Sequence, residues 1–486
     1  MTWISSTLHH GFTEPGQTGW MNTPEPPVIA PPASGRFFLL LKIGGICLLI
    51  VLLHVPLALM HGVLRERQGY QSAATDEIAG IWGRQQQVIG PVLAVPYQYK
   101  RSAVKSKVVN GRALQVEETE LTEATAYFLP ETLAVNGSID PEVRHRGIYD
   151  AVVYSTKIAL TGVFQADFAV AGIDAARIEW DKAQLQFGVS DLHGVRSVGP
   201  VQFNGGRSQA FESVENDNAI WSLKARLDGL SPSSKISFAF EAGLQGSERF
   251  EVTPVGKVTS VSLSSSWADP SFIGAYLPVK REVGTGFSAE RKTAPFSRGF
   301  PSAWTDQTVK LEEISRKITR EGFGVRFAQP VNGYGVAERA QKYGMLFFVL
   351  VFAVFFLFEI TASIRIHPLQ YTMVGAALCV FFLGFLALTE FWPVGPAYAA
   401  SAAACTLLVS LYAWSFLKTG SRTVVIGGGL GATYGYIFFV LKSQDYALLA
   451  GTVALFAALA LVMFCTRKIN WYGLGLKAPS GLPDSH

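Results

Sequence analysis

Cysteine is scarce, and its placement is informative. Cys47, Cys379, Cys405 and Cys465 all fall inside apolar runs, leaving none between 48 and 378. The middle region thus offers no disulfide framework and no Cys-ligated zinc. It suits a domain facing an oxidising space, where stray thiols mispair. Charge is scarce too: Asp, Glu, Lys and Arg make up 16% of the 486 residues, against about 25% in a soluble chain. The net charge of +4 comes from 41 basic and 37 acidic residues. Without a basic run, nucleic acid is not an expected partner. Of the eight histidines, only His61, His145 and His193 belong to the region between the first and second apolar runs, and no pair there has ligand spacing. HExxH, GxSxG and the P-loop are missing. No metal, cofactor or catalytic residue is assigned, and an enzyme is not expected.

What the chain has is apolar length. Six stretches are near the roughly 20 residues that cross a bilayer core: Phe37 to Met60, 345–363, 371–389, 394–417, 423–441 and 446–465. The first reads as a retained signal anchor, because a polar tail precedes it and Ala58-Leu59-Met60 is not an A-x-A cleavage site. Short-loop Lys and Arg set orientation. Arg36, Lys42, Arg365, Lys418, Arg422, Arg467, Lys468 and Lys477 fall on one side, the expected cytoplasm, so both termini are inside. Arg65 and Arg67 break the rule just past the first span. The expected domains are a disordered Pro-containing cytoplasmic tail (1–36), a transmembrane anchor (37–60), a periplasmic domain (61–340), a five-helix transmembrane bundle (341–466) and a cytoplasmic tail (467–486).

Within the middle domain, 64–88 reads as a stalk helix with an apolar stripe of Leu64, Ile78, Ile81 and Trp82. From Pro91 to Phe287 the period becomes two. Ile236, Phe238, Phe240, Ala242 and Leu244 alternate with other residues, as do Thr259, Val261 and Leu263. Asn110-Gly111, Asn136-Gly137 and Asn204-Gly205 are hairpin signals. The expected fold is a β-rich, antiparallel, sandwich-like domain inserted between one helix and five, with a short amphipathic helix near Thr308 to Thr319.

Ionisable groups inside spans are candidate functional residues, because burying them is costly. Glu359 lies near the inner end of the second span, close to Arg365 and His367; it reads as an ion-paired helix end or a coupled proton site. Glu390 lies at the outer end of the third. Gly427, Gly431 and Gly435 repeat a small-xxx-small spacing that lets helices pack closely.

Several segments together carry a resemblance. They are Glu66-Arg67-Gln68-Gly69-Tyr70, Gly90-Pro91-Val92-Leu93-Ala94-Val95-Pro96, Phe128 to Leu133, and Arg146-Gly147-Ile148-Tyr149. Trp267-Ala268-Asp269-Pro270-Ser271-Phe272, Leu277-Pro278, Lys280-Arg281-Glu282-Val283, Lys342-Tyr343, Phe358-Glu359 and His367 to Tyr371 follow in order. From about 50 to 473 the chain resembles the CreD family. It departs from the pattern at Ala268-Asp269 and Glu290-Arg291 and in its N-terminal tail. The resemblance implies a bacterial inner-membrane protein linked to envelope integrity and stress, with no catalytic residue to carry over. Trp267, Pro270 and Arg281 join Glu359, Arg365 and His367 as candidate functional residues. Expected partners are the lipid bilayer and an envelope protein, lipid or glycan bound by the periplasmic domain. A transporter or lipid-handling protein and an envelope hydrolase are the rival readings.

Overall fold

The computed structural model describes residues 35–467 apart from 110–111, 215–219, 231–234, 295–297, 328–332, 363, 365, 418 and 444–445. The Pro-containing tail, the Asn110-Gly111 turn, Arg365 and Lys418 therefore lie outside the described residues. Helix α1 (Gly35–Trp82) opens the fold. After the strands come α2 (Leu311–Arg320), α3 (Gly333–Lys342), α4 (Gly344–Ala362), α5 (Pro368–Thr389), α6 (Val394–Leu417), α7 (Gly420–Lys442) and α8 (Ala447–Thr466). The amphipathic helix expected near 308–319 is α2, which buries Ile314 and Ile318.

The anchor and the stalk are one helix. Its 48 residues span about 72 Å at 1.5 Å each, while a bilayer core is about 30 Å. Roughly half of α1 therefore extends past any membrane it crosses. By length and composition α1, α5, α6 and α7 are candidate spans. Helices α3 and α4 meet at 53° and form a fifth if the bent pair is one span. The expected sixth falls on α8, whose apolar segment Leu449–Phe464 is shorter. One apolar core joins α1 with α3 through α7, from Leu53 and Leu57 on α1 through Phe352 and Phe382 to Ile426 and Tyr434, and no described residue of α8 belongs to it.

The strands form two sheets over a second core, so the β-rich domain is as expected. One sheet runs Glu212–Ser213, Leu223–Arg226, Gln184–Val189, Gln86–Val109, Arg249–Thr253, Phe323–Phe327, Pro270–Gly274. The other runs Lys280–Val283, Phe287–Thr293, Val258–Ser265, Pro130–Arg146, Tyr149–Phe164, Ile236–Ser247, Val201–Phe203, Arg207–Gln209. The period-two residues point inward as expected: Ile236, Phe238, Phe240, Ala242 and Leu244 are all buried. Pairing is mostly antiparallel, but among the described residues each sheet holds one parallel strand pair, with Gln86↔Phe250 in the first and Val261↔Val135 in the second.

Of the two remaining turn signals, Asn204-Gly205 is a turn, with φ of 46° and 76°, joining Val201–Phe203 to Arg207–Gln209. Asn136-Gly137 is not. It lies mid-strand, opposite Ala159 and Ile158. A Cβ at Gly137 would sit 2.7 Å from Leu263 Cδ2, so the glycine makes room for a neighbouring strand's leucine.

Where α1 meets the sheets, the Asp191 carboxylate accepts the Arg84 amide (2.7 Å) and the His193 amide (3.0 Å). Burial alone would push this carboxyl up, but these donors and the His193 ring hold it below the ordinary carboxylate range. Its stabilising contribution is therefore present above the unfolded pKa and lost as pH falls through the lowered folded value. Asp191→Ala should cost about 1–2 kcal/mol at neutral pH. Urea unfolding followed by tryptophan emission should show that difference shrinking as the pH falls through and below the ordinary carboxylate range.

Candidate functional site

The ionisable residues of the helical region gather at two places along α1. At the first, Lys42 forms an ion pair with Glu359 of α4. Lys42 Nζ also donates to the Ile366 carbonyl (2.8 Å). The second Glu359 oxygen accepts from the Tyr371 hydroxyl of α5 (2.9 Å), and the first also accepts the Ile366 amide (3.2 Å). The Lys42 and Glu359 side chains are only 22% and 11% exposed. The cluster thus ties three helices with a paired, hydrogen-bonded charge, the arrangement an apolar setting requires. His367 takes no part in it. Its Nδ1 accepts the Leu369 amide (3.2 Å) and its own amide donates to Gln370, a capping box at the start of α5 before Pro368. Glu359 and His367 are therefore neighbours in sequence with separate tasks.

At the second place, Arg67 of α1 lies 3.6 Å from Glu390, which caps the end of α5. Tyr334 of α3 donates to Glu390 (3.3 Å). Tyr149, the first residue of its strand, hydrogen-bonds both Arg67 and Tyr334. Beside them Glu338 accepts from Gln68 (3.4 Å) and pairs with Lys342 (2.9 Å). The tip of the Pro130–Phe164 hairpin also reaches α1 through Arg146 and Glu77 (2.5 Å). Three motif segments, 66–70, 146–149 and 342–343, thus meet where the β domain sits on the helices. Arg67, an exception to the positive-inside pattern, has a carboxylate partner.

The segment 267–283 has a different position. Pro270 opens the strand Pro270–Gly274 at the end of the first sheet, and Arg281 lies on Lys280–Val283 at the end of the second. One short stretch therefore supplies the terminal strand of both sheets on one side of the domain. Proline fits such an edge because it lacks the ladder donor. Trp267 packs edge-on against Phe327 at 6.2 Å. Arg281 is exposed. The three are not gathered around a common point.

The glycines of α7 divide. A Cβ on Gly427 would meet Ser410 Oγ of α6 at 2.8 Å, a close approach of the expected kind. Gly431 and Gly435 meet nothing within 4 Å. They instead line a lateral cavity of about 600 Å³ with Tyr398, Ala402, Thr406 and Phe438. His145 and His193 each pair with a nearby aspartate, Asp150 and Asp191. Among the described residues no group of three or more His, Cys, Asp or Glu is placed to hold a metal.

A large two-sheet β domain carried on a long helix and docked by a polar cluster onto a bundle of apolar helices defines a multi-pass membrane protein with a sizeable domain beside the bilayer. The family described as inner membrane protein CreD matches residues 38–472. The chain belongs to this family. It is 29% identical over 437 residues to the inner membrane protein CreD of Escherichia coli (strain K12), covering 88% of this chain and 92% of that protein.

Proposed function

We propose that this protein supports cell-envelope integrity under stress without catalysing a reaction, by binding an envelope component through its β domain on the periplasmic side. In this reading six helices cross the membrane, α8 being the last, and both termini are cytoplasmic. The basic residues near the span ends, Lys42, Arg422 and Arg467 among them, favour that orientation.

The observation that carries the binding role is the edge strand Lys280–Val283. All four of its residues are exposed, and among the described residues it pairs only with Phe287–Thr293. Leu277, Val279 and Val283 are 76%, 69% and 53% exposed beside Lys280 and Arg281. An edge with open backbone groups and apolar side chains accepts an added strand or apolar partner. Photoreactive residues at Leu277, Val279 and Arg281 in living cells should crosslink one envelope component, and the same probe at Glu212, on the far edge of the first sheet, should not. Equal labelling from both edges would remove the reading.

The α6–α7 cavity favours a second reading, lipid handling. Gly431→Leu with Gly435→Leu would fill it. Unchanged rescue of a deletion strain by that double variant counts against this reading and leaves the edge-strand role.

A further inference from the structure

Arg291 occupies a position that the strand pattern reserves for an apolar side chain. On Phe287–Thr293 the inward residues are Phe287, Ala289, Arg291 and Thr293, all buried. Arg291 is 4% exposed. Its guanidinium lies over the rings of Phe323 at 4.7 Å and Phe272 at 5.7 Å. Nη1 donates to the Ile273 carbonyl at 3.3 Å. Nε and Nη2 are buried with no hydrogen-bond partner, and no carboxylate pairs with the group among the described residues. Burial lowers its pKa to about 10, so it stays protonated at neutral pH.

A buried cation without a counter-charge costs several kcal/mol, and buried charges are ordinarily paired. Cation–π contacts with two phenylalanines and one carbonyl offset part of that cost. They leave Nε and Nη2, along one edge of the guanidinium, buried without a hydrogen-bond partner. Nε–H and Nη2–H point the same way, forming the side-on fork that matches two oxygens of one anion. The group stands behind the junction of the two terminal strands: Ile273, which holds Nη1, is on Pro270–Gly274, and the segment 275–279, with Tyr276 and Pro278 half-buried and its other residues exposed, leads from there to Lys280–Val283.

We propose that Arg291 is an oxyanion receptor whose free Nε/Nη2 edge takes two oxygens of a carboxylate or phosphate group, admitted between the terminal strands of the two sheets. The site is distinct from the strand-edge role of Leu277 and Val279, and either stands without the other.

The test uses the full chain in detergent, with inorganic phosphate and acetate as probes and chloride at matched ionic strength as control. The thermal midpoint of the β domain, read by tryptophan emission, should rise saturably. The rise should be about 3–5 °C at tenfold the half-saturating concentration of one probe or both. A response to phosphate alone identifies a phosphate ligand, and to acetate alone a carboxylate. Arg291→Met should abolish the response. Should that variant fail to fold, Arg291→Lys, which keeps the charge and lacks the fork, should need at least tenfold more anion. Leu277→Asp with Val279→Asp, which removes the apolar edge, should leave the response intact. No rise beyond the chloride control in the wild type overturns the proposal. So does a response that survives in Arg291→Met, or one undiminished in Arg291→Lys.

Discussion

Lys42→Ala should destabilise the helical bundle by about 2–3 kcal/mol, because it leaves the part-buried Glu359 carboxylate without its counter-charge. Glu359 would retain the Tyr371 hydroxyl and the Ile366 amide, which stabilise an anion but do not neutralise it. Glu359→Gln should cost less. Lys42 is the more exposed partner, and its flexible stem can carry the ammonium to water. The double variant Lys42→Ala, Glu359→Gln should recover part of the loss, since a neutral amide can accept the Ile366 amide through its oxygen and donate its NH2 to the Tyr371 hydroxyl oxygen. Unfolding of the full chain in mixed micelles would rank the three. A double variant no better than Lys42→Ala would show that the cost lies in lost packing of the lysine stem and not in the unpaired charge. The same series bears on transport. If Glu359 takes up and releases a proton, Glu359→Gln should abolish rescue of a deletion strain even where the bundle remains stable.

That pair also marks where the sequence stops being legible. Glu359 stands out because a carboxylate in an apolar run is conspicuous. Its partner lies 317 positions away, in a stretch where Lys42 looks like an ordinary flanking charge, and only helix packing brings them together. Arg67 and Glu390 are the same case. Local periodicity is read well: the alternation in Ile236–Ser247 gives a strand and its buried face, and Asn204-Gly205 gives a turn, because each depends on neighbours in the chain. The identical dipeptide signal at Asn136-Gly137 misleads, since the glycine answers to Leu263 on another strand. The parallel pairings are invisible for the same reason, as strand direction is set by the route between strands. Arg291 was legible in part. A charge in phase with Phe287 and Ala289 on an alternating strand is an anomaly, but its missing partner is evident only once Phe323 and Ile273 surround it.

Trp82→Ala should cost about 2–4 kcal/mol, with the damage confined to the joint between α1 and the sheets. The indole Nε1–H donates to the Tyr154 carbonyl (3.2 Å), and the guanidiniums of Arg144 and Arg196 lie 4.3 and 5.9 Å from its ring. The ring therefore holds the last turn of α1 against three strands, Pro130–Arg146, Tyr149–Phe164 and Val195–Val198. Trp82→Phe keeps an aromatic face for the arginines and loses only the N–H donor, so it should cost about 1 kcal/mol. Because α1 is continuous from Lys42 through Arg67 to Trp82, one rod is tied to the bundle at Lys42, to both bundle and domain at Arg67, and to the domain at Trp82. Loosening the top should not loosen the bottom: amide exchange should rise near 75–86 in Trp82→Ala while the helix around Lys42 keeps its protection. Exchange rising along the whole of α1 would mean that the latch at Lys42 depends on the domain above it. The helix would then be a coupled element, and an event at the β domain would reach the other end of the membrane helices through α1 itself.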